Sequence, residues 1–289
     1  MSYHLIIGDY AYSSWSLRGW LLLDRFGLRY WATVLDFSSR DVEHQLRTYR
    51  PARTVPTLIT REGAVISDSL AIAEELASRH PDACHWPADP LRRATARTLA
   101  AEMHSGFSAL RSACPMATRV AYADFQASDA VRADLARIEE LWAHARSMAE
   151  DGPWLFGAYT AADAFYAPIA ARIATYGLPV GPEAQAYVDA HLADPAFRRF
   201  RAMGLVSGAD LPWYAKENDR RPWPGPAPRK ARVSDGPSEN ATCPYSGKPV
   251  THFLEMDGRI FGFCNAFCRD KTMADPEAWP DFMALVNPS

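Results

Sequence analysis

The sequence predicts an α/β domain, then an all-α bundle, then a small α+β module set off by a linker. Three observations carry this. From the start to about residue 80, short apolar runs alternate with stretches of helical spacing. From 91 to about 217 only the helical spacing persists. From 242 to 289, three of the five cysteines gather around a hairpin signal.

The first region reads in order. Tyr3, Leu5 and Ile7 alternate with polar neighbours, so a strand is expected there, running into a serine-rich turn. Trp15 to Phe26 carries helical apolar spacing. Ala32, Val34 and Leu35 read as a second strand. Thr57 to Ile59 and Ala64 to Ile66 form a hairpin around Arg61-Glu62-Gly63, and Ser69 to Ala77 a helix. Pro81, Pro87 and Pro90 mark a connection. Leu135, Ile138, Leu141 and Trp142 show the three- and four-residue steps of the bundle, where no strand is predicted. Residues 218–241 hold five prolines among arginines and no apolar period, which predicts an extended or disordered linker. The domains expected are 1–80, 91–217 and 242–289. The last is too small to hold much core unaided, so a metal staple or docking on the main body is expected.

Composition narrows the function classes. At 289 residues the chain has room for two or three cores. Apolar content of 48% and charged content of 22% fit a soluble globular protein. A net charge of −3 gives no electrostatic case for nucleic acid or an anionic membrane as partner. No apolar run is long enough to span a bilayer, and the first strand begins so early that no signal peptide is visible. An odd cysteine count with one cluster suits a reduced cytoplasmic protein, not a disulfide framework.

Three devices in the first domain can carry chemistry. Asp68-Ser69 opens a helix: the free amides and the Ser69 hydroxyl suit a ligand carboxylate, and the Asp68 carboxylate suits a ligand ammonium. Asp68 can equally be a plain helix cap. Val55-Pro56 opens a strand. If its bond is cis, the Val55 backbone groups turn outward and can pair with an extended peptide; an ordinary trans proline is the alternative. Ser13 and Ser14 stand at a helix start, where a hydroxyl can donate to sulfur and draw a thiol pKa down from about 8.5, or simply cap the helix.

Together, Tyr12-Ser13-Ser14-Trp15-Ser16-Leu17-Arg18, Thr54-Val55-Pro56-Thr57 and Asp68-Ser69 resemble the glutathione-binding half of a glutathione transferase. The serine pair and Arg18 are similar to the Ser-Ser-x-x-x-Arg signature of zeta-class enzymes. The chain to about Glu217 resembles bacterial members of the family. The resemblance implies a thioredoxin-like first domain and glutathione as cosubstrate. It implies Ser14 or Ser13 as the thiol-activating residue, with Tyr12 as a further candidate. Val55 beside cis-Pro56 would hold the ligand backbone, Asp68 and Ser69 its γ-glutamyl end, and Arg53 and His44 would add basic contacts. Zeta-class isomerases carry cysteine directly after the serine pair; this chain has Trp15.

The resemblance assigns the pocket for a small electrophile to the helical half. Met103, His104, Phe107 and Arg111 are the candidates there, with Tyr12 from the first domain; a bundle core is the alternative reading of the helical residues. Thr160 and Asp163 have capping-box spacing and read as folding residues. Conjugation in a cytoplasmic, detoxifying homodimer is the activity implied. A maleylacetoacetate-type isomerase and a non-catalytic glutathione- or metal-sensing protein are the rivals. The isomerase would need cations for two carboxylates, and Arg18 and Arg111 are possible sources.

Residues 242–285, with Cys243, a hairpin turn at Asp257-Gly258, and Cys264 and Cys268, resemble YHS and TRASH-type metal-binding modules. The resemblance implies zinc or copper on the three thiolates. Ser246 stands where a Cys-x-x-Cys knuckle would place its second cysteine, and His252 is the nearest substitute. Packing as small apolar residues is the alternative.

Overall fold

The computed structural model describes residues 2–39, 41–149 and 151–287. Two compact units divide them. One runs to Leu192 and resumes at Gly208–Pro224; the other joins Ala193–Ser207 to the chain from Gly225 on.

The first unit opens on β1 (Tyr3–Ile7), α1 (Ser14–Asp24), β2 (Tyr30–Val34), α2 (Val42–Gln45), β3 (Thr57–Ile59), β4 (Val65–Ile66) and α3 (Ser69–Arg79). The sheet order is β2-β1-β3-β4, with β1 parallel to β2 and the other pairs antiparallel. Burial explains the near-continuous apolar run of β1: Leu5, Ile6 and Ile7 are all fully buried, as in a strand covered on both faces. Ile6 packs with Leu35, Leu46 and Ala52. The second strand begins two residues earlier than its apolar spacing suggests, because Tyr30 and Trp31 pair with Tyr3 and His4.

Gly19 sits in the middle of α1, where glycine costs about 1 kcal/mol relative to alanine. A Cβ there would stand 2.6 Å from Pro56 Cβ, so glycine lets the helix close onto the start of β3. That approach brings the serine pair at the start of α1 and the Val55-Pro56 step into one neighbourhood.

Six further elements complete this unit's helical part: α4 (Pro90–Ser105), α5 (Ser108–Ala113), β5 (Ala121–Tyr122), α6 (Asp129–Arg146), α7 (Ala161–Tyr176) and α8 (Pro182–Ala193), the last ending at the unit boundary. Every residue of α7 is buried, and it packs on α1 and α4. The bundle is not free of strand. Ala121–Tyr122 pairs antiparallel with β6 (Arg220–Arg221), out of the segment expected to be a linker. Arg221 anchors that bridge, donating to the carbonyls of Tyr122 and Ala174. Two residues are too few to show as an alternation in sequence.

The second unit comprises α9 (Pro195–Val206), β7 (Arg232–Ser234), β8 (His252–Met256), β9 (Arg259–Phe263), α10 (Ala266–Ala274) and α11 (Pro280–Val286). Its sheet has the order β7-β8-β9, all antiparallel, with Asp257-Gly258 at the β8–β9 turn. The contacts therefore draw the boundary elsewhere than the sequence does. The strand Arg232–Ser234 comes from the expected linker, and α9 comes from the expected bundle. Phe261, Phe263 and Phe282 form a fully buried aromatic cluster. Helix α9 packs on α10, and Arg198 clamps the half-turn before α11 through two bonds to the buried Asp275, at 2.9 and 2.6 Å. A small module gains from α9 the apolar cover it lacks by itself.

Among the described residues no helix is long and apolar enough to cross a membrane.

Candidate functional site

Two adjoining cavities lie in the first unit and share Trp15 and Val55. The first, about 460 Å³, is lined by Trp15, Val42, Arg53, Thr54, Val55, Pro56, Ser67, Asp68 and Ser69. The second, about 540 Å³, is lined by Tyr12, Ser13, Ser14, Trp15, Phe37, Val55, Ser108, Arg111, Ser112, Pro115, Met116, Arg172 and Tyr214.

The first cavity is built around two element starts. The Val55-Pro56 bond is cis and sits directly before β3. Asp68 caps α3, its Oδ1 accepting from the amides of Leu70 and Ala71 at 2.8 and 3.0 Å. Its Oδ2 lies 3.2 Å from His104 Nε2. The next hydroxyl, Ser69 Oγ, is buried and has no partner among the described residues. An unpaired hydroxyl at a helix start is an unused donor for an anion. Arg53 lines the cavity. His44 does not: it lies exposed on α2, 4.0 Å from Asp41, and Val42 of the same short helix lines the cavity instead.

The start of α1 separates the three thiol-activating candidates. Ser13 is the cap: its hydroxyl donates to Ser16 Oγ at 2.7 Å and accepts from the Ser16 amide. Ser16 Oγ in turn accepts from the Gly8 amide. The single Ser13 proton is therefore committed inside the turn. Tyr12 donates to Asp210 Oδ1 at 3.4 Å and accepts from the Leu211 amide, and burial raises its pKa. Ser14 differs. Its oxygen accepts from Arg172 Nη2 at 3.2 Å, which leaves its proton free to donate.

Three guanidinium groups lie beside Trp15 and Ser14. Arg18 and Arg111 lie 4.5 and 4.8 Å from the Trp15 ring. Arg172 is buried on α7 and donates to the carbonyls of Cys114 and Arg111. Burial pushes Arg18 down to about 9 and Arg172 to about 10, with the neighbouring arginines adding to the shift in both. Both remain cationic at neutral pH. None of the three is in an ion pair among the described residues, and Nε and Nη1 of Arg18 have no partner there. Arg111 and Arg172 line the second cavity, whereas Arg18, a sequence candidate for a ligand carboxylate, is fully buried and lines neither cavity. Unneutralised cations at a cavity wall favour a thiolate over a thiol and an anion over a neutral guest.

Of the residues predicted for the electrophile pocket, Tyr12 and Arg111 line the second cavity. Met103 and Phe107 are buried in the bundle and are not on its lining. His104 is absent from that lining too. It faces Asp68 of the first cavity and packs edge-on to Trp15. Burial lowers its pKa against the pull of Asp68. Sequence reasoning missed Arg172, Trp15, Ser108 and Tyr214 as lining residues. Arg172 left a signal: it is the one basic residue of α7, whose only other charged residue is the capping-box Asp163.

In the second unit, Cys243, Cys264 and Cys268 place their sulfurs within 4.8 Å of one another. Cys264 and Cys268 Sγ are 3.9 Å apart. Asn265 caps α10 and so aims the first turn, with Cys268, back at the hairpin end. Burial pushes the Cys243 thiol up, but the amides of Cys264 and Tyr245 and both the hydroxyl and the amide of Ser246 favour its thiolate, and the balance draws it down to about 7. No fourth His, Cys, Asp or Glu joins the group among the described residues. His252, the expected substitute, instead bonds Thr251 Oγ1 through Nδ1 at 2.9 Å. The donor set fits a thiophilic ion. With metal–sulfur bonds of about 2.3 Å, sulfurs sharing one ion stand about 3.8–4.0 Å apart.

Comparison with known proteins agrees with the first unit's architecture. Residues 12–79 match the family model described as "Glutathione S-transferase, N-terminal domain". A solved glutathione transferase homolog from Burkholderia gl BGR1, with bound glutathione, is 26% identical with a TM-score of 0.51. The match covers 69% of this chain and 96% of that one. Glutathione transferase Omega 3C from Trametes versicolor, 18% identical, has a TM-score of 0.53 over 70% of this chain and 88% of its own. The Caenorhabditis elegans protein named "Probable maleylacetoacetate isomerase" is 36% identical over 99 residues. That stretch is 34% of this chain and 45% of the relative, so the match spans less than half of that relative's length. The chain has the glutathione transferase fold: a thioredoxin-like sheet-and-helix domain followed by a helical region.

Proposed function

We propose that the protein is a glutathione transferase that binds glutathione in the first cavity and its electrophile in the second. One observation carries this: the two cavities meet at Trp15 and Val55, and at the junction Ser14 alone among Tyr12, Ser13 and Ser14 keeps an uncommitted hydroxyl proton. In this reading Asp68 and the unpaired Ser69 hydroxyl hold the γ-glutamyl end, Val55 pairs with the peptide backbone, and Arg53 adds charge. Ser14 donates to the sulfur. The thiol proton leaves to solvent, and the thiolate attacks the electrophilic carbon across the junction. With a haloaromatic the carbon–halogen bond breaks and halide leaves to solvent; with an activated double bond the displaced electron pair takes up a proton from solvent. Each pKa unit by which the site lowers the thiol is worth about 1.4 kcal/mol. Proximity of the two guests supplies the rest of the acceleration. No protein nucleophile is needed. A homodimer and a cytoplasmic location belong to the same reading.

A second reading is a glutathione-dependent isomerase of a maleyl-type diacid. Arg111 and Arg172 on the second cavity favour it, since they suit carboxylates on the electrophile. The same purified protein separates the readings: it is assayed for conjugation of a neutral haloaromatic and for cis–trans isomerisation of maleylacetoacetate with catalytic glutathione. Turnover of either with saturable glutathione dependence supports the transferase class. Saturable binding with turnover of neither leaves a sensing scaffold.

The reading extends to the second unit, where Cys243, Cys264 and Cys268 would hold zinc or copper as in the YHS and TRASH-type modules they resemble. The metal would supply a structural staple there, and the three cysteines would be its ligands.

A further inference from the structure

We infer that the cysteine cluster is a three-coordinate thiolate site selective for a soft monovalent ion of the copper(I) class over zinc, and that Ser246 is the residue that sets this choice. The inference rests on the proposal that the cluster binds metal, and goes beyond it to coordination number and selectivity.

Three sulfurs converge, and two of them already stand 3.9 Å apart. A closed zinc site takes four protein ligands in a tetrahedron. Here the fourth place in the knuckle, three residues after Cys243, belongs to Ser246. Its hydroxyl lies 3.2 Å from Cys264 Sγ and points its proton at that sulfur. Its oxygen accepts from the Lys248 amide. Ser246 therefore acts on the cluster as a hydrogen-bond donor to a ligand, not as a ligand. His252 is engaged with Thr251 and stands outside the group. Three thiolates without a fourth donor suit a thiophilic monovalent ion, which is satisfied by fewer and softer ligands.

The charge balance points the same way. Three thiolates around a monovalent ion carry a net charge of −2. Lys271 lies one turn beyond Cys268 on α10, so the two share a helix face. Its ammonium is held over the rings of Tyr245 and Trp279, 4.1 and 4.0 Å from their centroids. A cation fixed in that aromatic cleft beside the thiolates offsets part of the charge.

The test is anaerobic metal titration of the full-length reduced protein against chromophoric chelators, one specific for copper(I) and one for zinc, with Ser246→Cys and Ser246→Ala alongside. Circular dichroism of each variant checks that it is folded. The expected result is one copper(I) per wild-type chain, with zinc surrendered to a weak chelator. Ser246→Ala should keep copper(I) affinity within about threefold, because no ligand is lost. Ser246→Cys should raise zinc affinity by about a hundredfold or more, as the fourth thiolate closes the tetrahedron. Cobalt(II) bound to that variant should then show the intense visible absorption of a tetrahedral thiolate site, and the wild type should not. Wild-type zinc affinity equal to that of Ser246→Cys would overturn the inference. So would a loss of copper(I) in Ser246→Ala. Stoichiometric binding of neither metal would overturn the metal-binding proposal itself, and the selectivity with it.

Discussion

Replacing Asp163 by alanine should unfold the first unit far more readily while leaving its chemistry intact. Asp163 is fully buried. Its Oδ1 accepts from the Leu155 amide at 3.0 Å and the Tyr187 hydroxyl at 2.9 Å. Its Oδ2 accepts from the Thr160 amide at 2.8 Å and the Thr160 hydroxyl at 2.9 Å. Alanine strands all four donors. The two hydroxyls can rotate, but the two amides cannot, and a buried unsatisfied donor costs about 1–3 kcal/mol. The returning bond to the start of α7 is the Thr160 amide's and is already one of these two. Burial of the carboxylate, which raises its pKa, is relieved in the variant and returns part of this. The net expectation is about 3–5 kcal/mol. For a unit of this size that is a fall in Tm of roughly 6–20 °C. Thermal melts followed by circular dichroism measure it, with kcat taken well below the variant's Tm. A kcat within about twofold of wild type and a large fall in Tm are expected. A Tm within about 2 °C of wild type, or a large loss of kcat at unchanged stability, would refute the reasoning.

Asp68 separates capping from ligand binding. Asn keeps the cap and removes the charge, so Asp68→Asn should change Tm little yet weaken glutathione binding about tenfold or more by calorimetry; equal binding would remove Asp68 from the ligand's grip. Arg198→Ala strips the buried Asp275 of its two-bond partner and leaves it only the more distant pull of Arg201, so thermal melts should register a cost of about 3 kcal/mol and limited proteolysis should cut within residues 225–287 first. His191 is buried between Trp154 and Tyr187, and burial depresses its pKa to about 3. The unfolded chain binds a proton there below about pH 6.5 that the fold excludes. This group's contribution is therefore complete above pH 6.5 and falls by about 1.4 kcal/mol per unit as pH drops towards 3. His191→Phe should flatten that part of the denaturant-measured stability profile, and an unchanged slope would contradict the assignment.

The fold was legible where a period repeats for several residues. The strand at Tyr3–Ile7 and the helix from Ser14 follow from their apolar spacing, the steps at Leu135, Ile138, Leu141 and Trp142 fall on the helix Asp129–Arg146, and the Asp257-Gly258 turn marks the β8–β9 hairpin. The pairing of Ala121–Tyr122 with Arg220–Arg221 did not, because a two-residue bridge across a hundred positions has no local period. The second unit's use of α9 was equally hidden, since an amphipathic helix does not say which body its apolar stripe covers. In the candidate site, the order of Ser14, Val55-Pro56 and Asp68-Ser69 was readable because each device is local. The choice among Tyr12, Ser13 and Ser14 was not. It depends on where three hydroxyl protons go, and the deciding partners, Ser16, Arg172 and Asp210, lie up to 198 residues away. His104 is read from sequence as a polar neighbour of Met103 and Phe107, but its ring turns to Asp68 of the first cavity.

The central claim is that Ser14 holds glutathione as thiolate. The most direct measurement is the ultraviolet thiolate absorbance of bound glutathione against pH, for the wild type and for Ser14→Ala. A hydrogen bond to a charged acceptor is worth about 1.5–3 kcal/mol, or roughly 1–2 pKa units. The wild type should hold the thiol well below its free value, and Ser14→Ala should raise it by that amount while still binding the ligand. Bound glutathione whose thiol titrates at its free value in the wild type, or at the same depressed value in both proteins, would contradict the account.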